Sequence, residues 1–297
     1  MKIFLLTIAS LVFTIGSFAQ EKAIAKIQYT FTHINDTTQR DKHRRDEVVT
    51  YLAQHSAYYT SYSSESLSEM VKKQQESPGF DGNIVLTKST TTIDRHYMYF
   101  PSQQKVIEIA KFGGDTFVTD GTFEAPNWEI QDETKEIGGY HCQKATTDFK
   151  GRTYTAWFTM DLPFSHGPWK LQGLPGLILQ ASDSKKEVNF EYAGFDKIIG
   201  DGEIVIEVPS SAIRSTALEV KKLERAFKSN PQAYLQSKAA APKGAISVGN
   251  SSGIVVRGKQ NIAGSSSSMS NVKSINVKND SAYKPSQITN NPIELIP

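Results

Sequence analysis

The chain has 297 residues, 38% of them hydrophobic, and its 33 Lys and Arg against 31 Asp and Glu leave a formal net charge of +2. That balance provides no electrostatic footprint for nucleic acid or for an anionic membrane surface. One cysteine, Cys142, excludes an internal disulfide framework, so a hydrophobic core has to hold the fold.

Residues 1–19 carry an early positive charge at Lys2, an apolar run over 3–15, and small side chains at Ser17 and Ala19. This is the pattern of a secretory signal peptide cut after Ala19, so export to the periplasm or outer envelope is expected. No later segment is apolar enough to span a bilayer. Next, "KIQYTFTHI" (26–34) alternates, with Ile27, Tyr29, Phe31 and His33 on one face, as in a half-buried strand. The basic run "RDKHRR" (40–45) reads as a solvated loop. "EVVTYLAQHSAYYTSYS" (47–63) predicts two strands joined by a tight turn. A change of period over 63–79 predicts a short helix capped at Ser64, with Leu67, Met70 and Val71 on one stripe, ended by Pro78-Gly79.

From 84 to 200 the pattern is strand-like, punctuated at Pro101-Ser102, Gly113-Gly114, Gly138-Gly139 and Lys150-Gly151. In "RTYTAWFTM" (152–160), Tyr154, Ala156 and Phe158 alternate with Thr155, Trp157 and Thr159. Strands of this length and spacing predict a mainly β fold with a few helices, built on a curved antiparallel sheet or half-barrel. A second helix is predicted over 215–231, with Val220, Leu223 and Phe227 on one face and Asn230-Pro231 ending it. The domain expectation is a single β-rich domain over 20–236. A low-complexity, largely disordered insertion over 237–284 follows, in which "GIVVRG" could add a strand, and then a C-terminal segment over 285–297 ending "NPIELIP".

The most apolar stretch contains the sharpest turn signal. Leu174-Pro175-Gly176-Leu177 has proline and glycine at the central positions of a type II turn, which would place Gly176 at positive φ, with Gly173 allowing close backbone approach. "GLPGLI" (173–178) resembles, letter for letter, the hexapeptide of the GLPGLI family of exported Gram-negative envelope proteins. "IGGYHCQKA" (137–145) is similar to that family's Gly-Tyr-x-Cys-x-Lys-Ala element, "AWFTMDLPFSHGPWKLQGLPGLIL" (156–179) to its core, and "NPIEL" (291–295) to its endings. The resemblance implies no particular activity. It does imply a fold similar to the half-barrels of lipoprotein carriers, in which a curved sheet wraps an apolar cleft.

Candidate site residues gather in that core. Tyr140, Cys142, Trp157, Trp169, Gly173, Leu174, Pro175, Gly176 and Leu177 either fill the inner face of the sheet or line a cleft for an apolar small molecule or lipid. Cys142 reads either as a small buried hydrophobe on a strand or as the anchor of a copper or zinc site with Met160 and His166. His141 cannot join it, because neighbouring strand residues face opposite ways. No hydrolase, phosphate-loop, metalloprotease or dinucleotide motif is present, and no cofactor is expected. The leading expectation is a non-enzymatic periplasmic binding or carrier protein. The alternatives are a metal-handling protein, and an accessory partner of outer-membrane machinery that docks through an exposed "NPIELIP" tip.

Overall fold

The computed structural model describes residues 21–88, 93–199, 204–240, 255–256, 272–279 and 284–296. The expected leader and most of the low-complexity stretch lie outside them. The chain opens with β1 (Glu21–Lys22), β2 (Ala25–His33), β3 (Arg44–Leu52), β4 (Ala57–Ser61), α1 (Ser63–Gln75) and β5 (Asn83–Lys88). It continues through β6 (His96–Phe100), β7 (Lys105–Phe112) and β8 (Asp115–Thr122). A second run comprises β9 (Glu129–Ile137), β10 (Tyr140–Phe149), β11 (Arg152–Thr159), β12 (Leu177–Asp183) and β13 (Val188–Lys197). The remaining elements are β14 (Ile204–Ile206), β15 (Ile213–Arg214), α2 (Ala217–Ser229), α3 (Pro231–Ala240), β16 (Val255–Val256) and β17 (Ser274–Asn279).

Twelve of the strands form one curved, open sheet in the order β15-β8-β7-β6-β4-β3-β2-β13-β12-β11-β10-β9. Two antiparallel meanders are fused where β2 pairs with β13, from His33 opposite Val188 to Ala25 opposite Lys197. Three hairpins turn on the dipeptides Gly113-Gly114, Gly138-Gly139 and Lys150-Gly151, and all six residues have positive φ. Two-residue turns of that kind match the right-handed twist of the flanking strands. At the far edge β9 is bordered only by β10 among the described residues.

The predicted alternation in β2 and β11 is present, with Ile27, Tyr29, Phe31, Tyr154, Ala156 and Phe158 all buried. Strands β3, β4 and β6 bury both faces, so the sheet carries two cores. One gathers Tyr29, Phe31, Val48, Tyr59, Tyr97 and Tyr99 with Phe190; the other gathers Val49, Tyr51, Tyr58, Met98, Ile107 and Ile109 with Ile206. The helices differ from expectation at their ends. α1 starts at Ser63 with Tyr62 at the cap position and no side-chain capping bond. α2 is fixed by a capping box between Thr216 and Glu219. Pro231 begins α3 as well as ending α2, since its missing N–H costs nothing at a first helical position; Asn230 Oδ1 accepts from the Ala233 N–H at 2.9 Å. In the low-complexity stretch, Val255–Val256 pairs with β14 and Ser274–Asn279 runs parallel to β5.

Within the segment 160–176 between β11 and β12, the stretch 166–172 is laid into the sheet, buried except for the half-buried Lys170, while Met160, Asp161, Pro163, Ser165, Gly173 and Pro175 face outward. Trp169, Leu171, Leu174 and Gln172 are 3%, 0%, 1% and 0% exposed. Backbone groups in such a position need partners, and the sheet supplies them. Tyr99 Oη donates to the Trp169 carbonyl at 2.7 Å, Thr50 Oγ1 to that of Gly167 at 3.1 Å, and Trp128 Nε1 to that of Gln172 at 2.8 Å. Tyr29 Oη donates to the Ile178 carbonyl at 2.6 Å, just beyond the turn.

The type II turn is overturned: Gly173 has φ +94, and Gly176 is not among the residues at positive φ. Gly176 is glycine because the chain crosses the end of β11 there. A Cβ would lie 2.7 Å from the Thr159 carbonyl carbon and closer still to its oxygen. The two glycines thus exchange the roles expected of them.

The C-terminal segment is held by a buried guanidinium. The Arg152 side chain, 2% exposed, donates all five N–H groups: Nη1 to Asp183 Oδ2 (2.8 Å) and Glu187 Oε2 (3.4 Å), Nη2 to Asn291 Oδ1 (2.7 Å) and the Pro292 carbonyl (2.7 Å), and Nε to the Ile293 carbonyl (3.0 Å). Asn291 Nδ2 donates in turn to the Ile34 carbonyl and Glu187 Oε2. The "NPIEL" sequence is therefore docked on its own chain through Asn291, 7% exposed, which corrects its reading as a wholly exposed tip, while Pro292, Leu295 and Ile296 do stand exposed. His33 Nε2 lies 2.8 Å from the Asn291 carbonyl, which can only accept, so the ring is the Nε2–H tautomer. Burial pushes this imidazole down to about 4 despite that bond, with Arg44 and Arg152 adding to the lowering. His96 is pushed down to about 3, first by burial and then by Lys111 and Arg95.

Three outcomes follow for stability. Gly176→Val should give the lowest thermal midpoint of any single change in 173–178, because overpacking against backbone costs roughly 1–3 kcal/mol or more; Pro175→Ala should cost about 0.4–1 kcal/mol, and equal melting of the two would contradict the close crossing. Arg152→Met leaves Asp183 and Glu187 without their shared cation, an expected loss of about 3–5 kcal/mol by urea unfolding. Both histidines have folded values below the ordinary 6.5, so the unfolded chain binds more protons and stability is lost as pH falls from 6.5 towards 4. At pH 5 each contributes about 2 kcal/mol of loss, at roughly 1.4 kcal/mol per unit. Glu65, whose carboxyl burial raises, opposes this weakly. A urea midpoint at pH 5 equal to that at pH 7.5 would show that the rings are not held neutral.

Candidate functional site

β6 reads His-Tyr-Met-Tyr-Phe, and the two-residue period sends Tyr97 and Tyr99 to the face carrying the buried segment while Met98 enters the opposite core. Beside these tyrosines is a groove of about 250 Å³. Tyr97, Tyr99, Val106, Phe123 and Phe149 supply its apolar wall. The rings of Tyr97 and Tyr99 stack at 6.1 Å, and Phe123 meets Tyr99 edge-on at 5.9 Å. Burial, more than any neighbouring charge, raises both phenols well above their ordinary range, so they stay protonated and can donate.

Polar side chains border this wall. Glu108 and Asp120 come from β7 and β8, Glu124 from the residues after β8, Lys150 from the β10–β11 turn, and Lys170 from the buried segment. Lys150 has φ +51 and is followed by Gly151 at φ +81, where a Cβ would strike Ile296 and Leu295. The turn is thus pressed against the C-terminal segment, and the Leu295 N–H donates to the Lys150 carbonyl at 2.9 Å. One side of the groove is in this way positioned by the docked "NPIEL" residues.

The residues singled out from the sequence lie beside the groove, not in its lining. Cys142, Trp169, Leu174 and Leu177 belong to one buried cluster, with Trp157 and Tyr140 packed against it. Trp157, on the other face of β11 from Ala156 and Phe158, has Lys135 Nζ 4.2 Å from its ring centre. Gly173, Pro175 and Gly176 shape the turn that carries Leu174 into the cluster. Of the three metal candidates, Cys142 is buried, Met160 is 65% exposed, and His166 uses Nδ1 on Gln172 Oε1 at 2.7 Å. Burial pushes the Cys142 thiol up to about 11, which leaves it protonated at neutral pH. Among the described residues no group of three or more His, Cys, Asp or Glu side chains is placed to hold a metal ion. No described helix is long and apolar enough to cross a membrane.

Sequence reasoning missed the groove because its walls come from separate strands, a hairpin turn and the buried segment. The one local signal was the Tyr-x-Tyr spacing in β6, which reads equally well as core.

Comparison with known proteins adds a family match and a distant likeness. A family model described as "Protein of unknown function (Porph_ging)" matches residues 148–180, the span from the end of β10 through the buried segment into β12. No curated protein matches. Two solved structures of PNGF-II, in the P21 and C2 space groups, are similar at 16% identity, with TM-scores of 0.46 and 0.45 over 67% and 69% of this chain. The matched region spans 32% of each PNGF-II chain, so this chain corresponds to about a third of their length.

Proposed function

We propose that the chain is an exported envelope protein of the GLPGLI family that binds a small apolar or aromatic molecule without transforming it. The leader pattern in residues 1–19 and the letter-for-letter hexapeptide at 173–178 support the family and the export. The observation that carries the binding reading is the groove, an apolar wall of Tyr97, Tyr99, Phe123 and Phe149 ringed by a few fixed polar groups. That combination is what small-molecule sites are made of.

Its size narrows the ligand. A cavity of about 150 Å³ takes one benzene ring, and drug-sized ligands occupy roughly 300–1,000 Å³. A groove of about 250 Å³ suits one or two fused rings and is too small for the chains of a whole lipid. Its carboxylates are engaged in ion pairs, as with Glu108 and Arg95 at 2.8 Å, which suits holding a ligand better than moving a proton.

Fluorescence titration of the purified protein with the neutral dye N-phenyl-1-naphthylamine tests this. Saturable binding at one site is expected, and Val106→Trp, which fills the groove from β7, should abolish it without lowering the thermal midpoint by more than a few degrees. A dye that does not saturate, or that binds the Val106→Trp protein equally well, would remove the groove as the site.

A further inference from the structure

Five charged side chains line the groove, and four of them are already answered within the sheet and its turns. Glu108 is paired with Arg95 at 2.8 Å, and Asp120 with Lys105 at 2.9 Å and Arg214 at 2.7 Å. Glu124 and Lys150 are paired with each other at 3.0 Å. Lys170 is different. Its ammonium lies 5.3 Å from the centre of the Tyr97 ring and 6.0 Å from that of Trp169. Its ion pair, at 2.6 Å, is with Glu294, a residue of the docked C-terminal segment.

The backbone before Lys170 is strained. Trp169 has φ +50, a rare conformation for a bulky side chain. Strain of this kind persists where surrounding structure over-determines it, often at binding sites. Here it turns the Trp169 carbonyl to receive Tyr99 and brings the next side chain, Lys170, out at the groove. The Glu294 carboxylate thus stands on a cation placed beside an aromatic wall. With the two side chains 23% and 27% exposed, the pair is partly solvated and open to exchange for another carboxylate.

From this arrangement we propose that the ligand is an aromatic carboxylate, its ring lying against Tyr97 and Phe123 and its carboxylate replacing Glu294 on Lys170. Glu294 then acts as a built-in stand-in for the ligand's anionic group, released when the ligand enters. This deepens the binding reading above and rests on it. The positive edge of the ligand ring suits the tyrosine faces, and the ammonium over Tyr97 supplies the charge-assisted bond that a neutral ring would lack.

Calorimetric titration of the purified protein with 2-naphthoate and with 2-naphthalenemethanol, which share a ring system and differ in charge, separates the two claims. Naphthoate should bind roughly tenfold more tightly, as one hydrogen bond to a charged group provides. Lys170→Met should bring naphthoate down to the affinity of the alcohol and leave the alcohol unchanged, whereas Glu294→Gln should tighten naphthoate alone. Equal affinity of the two probes, or naphthoate binding indifferent to both substitutions, overturns the carboxylate assignment while groove binding stands. If neither probe binds, the groove reading fails and this one falls with it.

Discussion

The Arg152 guanidinium is the point on which distant parts of the chain agree. A buried guanidinium is tolerable only when its charge is balanced and every N–H is accepted. Here Asp183 and Glu187 provide the balance, while Asn291, Pro292 and Ile293 complete the acceptors. Burial alone would raise the Glu187 carboxyl, but bonds from Arg40, Asn291 and Arg152 hold it below the usual carboxylate range. The β10–β11 turn, the β12–β13 connection and the C-terminal segment are thereby fixed to one side chain. Because Lys150 and Glu294 lie next to this junction, the groove inherits its geometry from it.

The second organising feature is a long connection laid into the sheet. Connections ordinarily run over the surface because their backbone groups need water. Residues 166–172 avoid that requirement by taking hydroxyl donors from β3 and β6 and the Trp128 indole just before β9. This explains why a sequence rich in leucine bends sharply where it most wants burial: Leu171, Leu174 and Leu177 are the core of that face, and the bend at Gly176 lets them reach it past Thr159. One of these donors, Tyr99, also lines the groove, so its phenol serves both structure and site.

Much of the fold was legible because it is written locally. Alternation in β2 and β11 follows from the two-residue pleat, and the Gly-Gly and Lys-Gly pairs announced their hairpins through the positive φ those turns demand. What was not legible depends on partners remote in the chain. Arg152 opens a strand whose neighbours are polar, and nothing near it in sequence reveals that Asn291 will complete its acceptors. Gly176 carried a turn signature that fitted positive φ, but the close approach of Thr159 decides its role. The groove draws Tyr97, Phe149 and Lys170 from three separate parts of the chain, which is why the aromatic residues flagged around Trp157 and Leu174 turned out to be packed core beside it.

An open sheet keeps two free margins, and the two here are unlike. At one end β15 is only two residues long; at the other β9 presents nine residues, bordered only by β10 among the described residues. An exposed strand of that length is a template on which another copy could continue the ladder. β9 reads Glu-Ile-Gln-Asp-Glu-Thr-Lys-Glu-Ile, with four acids and one lysine in nine positions, so a second β9 approaching antiparallel would bring like charges together. This strand buries little and adds little to either core, yet its net negative charge works against a second copy extending the sheet at this edge.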